Sequence, residues 1–136
     1  MSRLNFRTSE WDHGLPQLNE TRVNCSACYL QEWLYVVGGL KNNSVERLDL
    51  SSESISSSSE AKAWEVLTFP VEVFSPRYWS AVSVLNSAEI AIIGGRARKG
   101  KNHGNLGEIF VLNVNTGALQ KASKDDGEVS VVTRNN

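Results

Sequence analysis

The sequence predicts an all-β fold built from two copies of one four-stranded unit. Three observations carry this. A segment of the first half returns in the second, short apolar runs lie between turn residues, and no stretch combines a 3.6-residue apolar period with helix caps. The repeated segment runs from Arg22 to Gly39 and again from Arg77 to Gly95. The two arginines stand 77 − 22 = 55 positions apart and the Gly pairs 94 − 38 = 56. The extra position is expected in a longer turn over Asn86–Glu89. Trp11 and Pro16 precede Arg22 as Trp64 and Pro70 precede Arg77.

Each unit reads the same way in order. Ala27–Leu30 in the first unit and Val82 with Val84 in the second supply β-formers for a first strand. Leu34–Val37 and Ile90–Ile93 are short continuous apolar runs, the pattern of a strand buried on both faces. Each ends in a Gly pair, Gly38-Gly39 and Gly94-Gly95. Glycine takes positive φ without steric cost and admits close approach of another group, for which Trp64 is the candidate. Val45–Leu50 and Glu108–Val114 follow as third strands, with Leu48 and Leu50 on one face. Trp64–Thr68 supplies the fourth strand of the first unit.

Taken together, these residues resemble kelch repeats. The first unit carries the second-strand Tyr35, the Gly pair, the Glu46-Arg47 third strand and the late Trp64. The second keeps Gly94, Gly95 and Phe110 but has Ala91 or Ile92 in place of the tyrosine, and Leu119 or Gln120 near the place of the late tryptophan. The resemblance implies a partial kelch-type β-propeller of four-stranded antiparallel blades. Residues 1–21 would be the tail of a preceding blade, 22–76 and 77–123 the two repeats, and 124–136 the start of a following blade or a tail. Arg22, Gly38, Gly39, Trp64, Arg77, Gly94 and Gly95 are then residues of the repeat framework. Propellers need about 4–8 blades to close, so two blades leave two outer sheet faces without neighbours.

Composition limits the function classes. The chain has 136 residues, 40% hydrophobic and 21% charged, which is that of a globular domain. A formal net charge of −1 gives no general attraction to nucleic acid or to an anionic membrane. No apolar run approaches the ~20 residues of a membrane span, and residues 1–7 lack a secretory apolar stretch, so a cytoplasmic setting is expected. Cys25 and Cys28 have no second Cys pair to complete a metal site, and in an extended strand positions three apart face opposite ways. Copper-radical oxidases of the kelch type need two histidines and tyrosines at one metal, whereas His13 and His103 lie near opposite ends of this chain. No phosphate-binding, dinucleotide or nucleophile-elbow motif is present. The expectation is therefore no enzyme and no cofactor, but an interaction or scaffold module working with other protein subunits or with itself. A fragment of a propeller enzyme and a purely structural subunit are the alternatives.

Two segments are candidate contact regions. Arg96-Ala-Arg-Lys-Gly-Lys-Asn-His103 is read as a basic loop after the second Gly pair, longer than its counterpart Leu40–Ser44. Insertions in repeat folds gather on one face, often the binding face, so Arg96, Arg98, Lys99, Lys101 and His103 are the candidate partner-binding residues. Ser51–Glu60 holds seven serines in ten positions and is a candidate phosphorylation platform.

Overall fold

A computed structural model describes residues 2–51, 63–99, 101–122 and 130–132. Among these residues every regular element is a strand, and every strand pairing is antiparallel. Strands β1 (Arg3–Asn5) and β2 (Glu10–Asp12) form a hairpin of their own. The first large sheet is a meander of β3 (Ser26–Leu30), β4 (Trp33–Val37), β5 (Ser44–Asp49) and β6 (Glu65–Thr68). The second begins with β7 (Ala81–Asn86) and β8 (Glu89–Ile93). A small hairpin of β9 (Arg96–Lys99) and β10 (Asn102–Asn105) then interrupts it. The second sheet resumes with β11 (Ile109–Asn113), β12 (Leu119–Ala122) and β13 (Ser130–Val132), giving the order β13-β12-β11-β8-β7.

The two sheets share a four-stranded antiparallel meander, to which the second adds β13 as a fifth strand, and they pack on each other through unlike faces. Tyr35, Val37 and Val45 of the first sheet bury against Ile90, Ile92, Phe110 and Leu112 of the second. Phe69 and Phe74, from the connection after β6, fill the space between them, with Phe74 edge-on to both Phe69 and Phe110. The Gly pairs align Val37 with Ile93 and Val36 with Ile92. The first sheet therefore offers its odd-numbered β4 face, while the second offers the even-numbered face of β8. Val36, Leu48 and Trp64 lie on the far side of the first sheet, covered by Leu15 and Leu18. The far side of the second sheet carries Ala91, Ile93, Ile109 and Val111.

Several expectations need correction. Among the described residues one outer sheet face, not two, carries exposed apolar side chains, Ile93 and Ile109, because the segment through Leu15 and Leu18 covers the other. The extra residue of the second unit is not in its turn. Both turns have two residues, Gln31-Glu32 and Ser87-Ala88, and Leu85 is extruded as a β-bulge between Val84 and Asn86. The Gly38 approach is made by Arg77 and not by Trp64. Gly38 has φ 65° and a Cβ there would run into the Arg77 carbonyl. Trp64 packs instead on Val36 and Leu48, and its Nε1 donates to the Pro16 carbonyl at 3.1 Å.

Ser130–Val132 extends the second sheet beyond β12. Of the serine-rich segment only Ser51 lies within the described residues. Cys25 is exposed just before β3, while Cys28 lies within it against the core, where burial raises its thiol pKa.

Candidate functional site

In both units the repeat arginine fastens the Gly pair to the third strand. Arg22 Nη1 donates to the Gly38 carbonyl at 2.7 Å, and its Nε donates to Glu46 at 2.9 Å. Both side chains of that ion pair are fully buried. Such a pair is tolerated because its remaining positions are bonded: Glu46 also accepts from the amides of Asn19 and Glu20. Arg77 likewise bonds the second Gly pair, with Nη1 donating to the Gly94 carbonyl at 3.5 Å, but its Nη2 donates at 3.0 Å to Glu108, which stands where the first unit has Ser44, and Phe110 stands in the place of Glu46. Its guanidinium lies over the rings of Phe74 and Phe110, 4.5 and 4.7 Å from their centroids. These groups are saturated by their own neighbours, so they support the frame rather than present a surface.

The basic segment differs from its expectation. It is a β-hairpin and not a loop, with Lys99 opposite Asn102, Arg98 opposite His103 and Arg96 opposite Asn105. Alternation along β9 places Arg96 and Arg98 on one face, and their cross-strand partners His103 and Asn105 join them. Ala97 points the other way and is buried. Lys101 sits in the turn and is exposed. The structure thus gathers Arg96, Arg98 and His103 on one face. It places Lys99 one register step away.

That face adjoins two aromatic residues which sequence reasoning missed. Tyr78 is buried, bridges to Arg96 through paired backbone hydrogen bonds of 2.8 and 3.1 Å, and hydrogen-bonds His103 through its hydroxyl. Its ring meets Trp79 edge-on at 5.1 Å and His103 edge-on at 5.8 Å. Trp79 is 60% exposed, with the Arg96 guanidinium 6.0 Å from its ring. Arg96 Nε is buried without a hydrogen-bond partner. The result is a supported indole beside a cluster of cations. Among the described residues no group of His, Cys, Asp and Glu is arranged to hold a metal, and no helix is long and apolar enough to cross a membrane.

Comparison with family models finds no match, and no curated protein matches the chain. Among solved structures, 48 chains match its backbone. One is the structure of YjhT, with a TM-score of 0.50 and 16% identity, covering 88% of this chain and 29% of that one. This is a likeness of fold. The chain spans less than a third of the length of the structure it matches.

Proposed function

We propose that the chain is a protein–protein interaction or scaffold module, built from kelch-type propeller blades and working within a larger assembly. One observation supports this above others. Val37 and Val45, which face the second sheet, are 2% and 0% exposed. Their counterparts in the second unit, Ile93 and Ile109, are 40% and 41% exposed. At these two positions the same sheet face is buried in one unit and open in the other, while Ala91 on that face is buried. A further sheet laid on it would repeat the packing already present once in the chain, as stacked repeats do. A cytoplasmic setting, where thiols stay reduced, goes with this reading.

Light scattering on the purified protein tests it. The parent chain is expected to associate, and the double variant Ile93→Lys, Ile109→Lys to be a folded species near the chain mass of 15.0 kDa. A parent that is folded and monodisperse at that mass defeats the proposal.

A further inference from the structure

The two units share one backbone frame around the Gly pair, but they dress it differently. Leu40 donates its amide to the Val23 carbonyl at 3.0 Å, and Arg96 donates to the Tyr78 carbonyl at 2.8 Å. The residue two positions after the repeat arginine has positive φ in both units: Asn24 at 57° and Trp79 at 56°. Asparagine tolerates this left-handed region, whereas a bulky side chain there is a strained outlier. Tyr78, Trp79 and Arg96 therefore stand where the first unit has Val23, Asn24 and Leu40. The second unit also carries the inserted basic hairpin. The frame needs a residue that accepts positive φ, and Trp79 meets that need at a cost Asn24 avoids. Its ring does not repay this by burial, because it is largely exposed.

We propose that Trp79, Arg96, Arg98 and His103 form a binding platform for an acidic peptide segment of a partner protein. An aliphatic or aromatic side chain of that segment would lie on the Trp79 ring, and its carboxylates would meet Arg96 and Arg98. The chemistry follows from what the face presents. Tyr78 holds both the indole and His103 from below, so the ring is fixed before a ligand arrives. Guanidinium groups take carboxylates through paired, charge-assisted bonds. A nucleic-acid strand fits less well. It calls for successive large rings along a cationic track, and this site has one exposed indole in a chain of net charge −1.

The platform shares no residue with the exposed apolar positions Ile93 and Ile109, so each can be altered and tested apart from the other. The test is fluorescence anisotropy with three labelled probes: a short peptide of alternating glutamate and leucine, its lysine–leucine counterpart, and a single-stranded oligonucleotide. The acidic peptide is expected to bind alone and to weaken as salt rises. Trp79→Asn, the residue the first unit uses, is expected to weaken binding about tenfold or more while thermal stability holds or rises. Arg96→Ala with Arg98→Ala is expected to abolish binding. Undiminished binding by Trp79→Asn overturns the platform, as does a lower melting temperature in that variant with affinity kept. Preference for the oligonucleotide or the basic peptide, or no binding of the acidic probe, rejects the acidic-peptide assignment.

Discussion

At the residue scale, Trp64 and Glu108 show how the frame is held. Trp64 is nearly fully buried against Val36 and Leu48. Removing such a ring from a packed site costs about 3–5 kcal/mol, so Trp64→Ala is expected to lower the urea-derived stability by that much. An unchanged midpoint would show the ring to be idle. Glu108 is subject to two opposing influences. Burial pushes its pKa up, while hydrogen bonds and charges from Lys121 and Arg77 outweigh this and hold it below its ordinary value. A carboxylate with a lowered folded pKa stabilises the fold above its unfolded value, about 4.3, and loses that contribution as pH falls through the folded value. Glu108→Gln is therefore expected to be less stable than the parent at neutral pH, with the difference closing as pH drops below about 4. Parallel stability profiles for the two proteins would rule out this role.

Among the elements, the β9–β10 hairpin pairs with itself and joins the second sheet's frame through the Tyr78–Arg96 bridge. Replacing residues 96–107 with the four residues 40–43 is expected to leave the second sheet folded, because Leu40 makes the same backbone bond as Arg96. The shorter connection is itself favourable by about 1 kcal/mol on loop-closure grounds. A urea midpoint that falls by an amount worth several kcal/mol would show that the hairpin supports the sheet. The main strands were legible in the sequence because the repeated apolar runs and Gly pairs mark them twice. The hairpin was not, since Arg96-Ala-Arg-Lys99 and Asn102-His-Gly-Asn105 have few β-formers and only Ala97 to bury. The platform was half legible. Its cations were visible as a basic run, but Trp79 could be found only by aligning it with Asn24 and asking why a position that suits asparagine holds an indole. The one-residue mismatch between units was also visible, although nothing in Leu85 itself distinguishes a bulge from a longer turn.

For the whole molecule, the main asymmetry among the described residues is that one end of the stacked pair is covered by the N-terminal segment while the other carries the exposed Ile93 and Ile109. The joint between the sheets runs through Arg77. Its carbonyl accepts the Gly39 amide of the first unit at 2.7 Å, while its side chain reaches Gly94 and Glu108 of the second. Phe74 and Phe110 on either side belong to the same core. Neither unit can open at this point without releasing the other. The coupling between adjacent repeats then sets the size of the cooperative unit. Amide hydrogens of β4 and β8 are expected to exchange with solvent in a single step of equal protection, and Phe74→Ala, which empties the space between the sheets while the Arg77 carbonyl stays, should split that step into two.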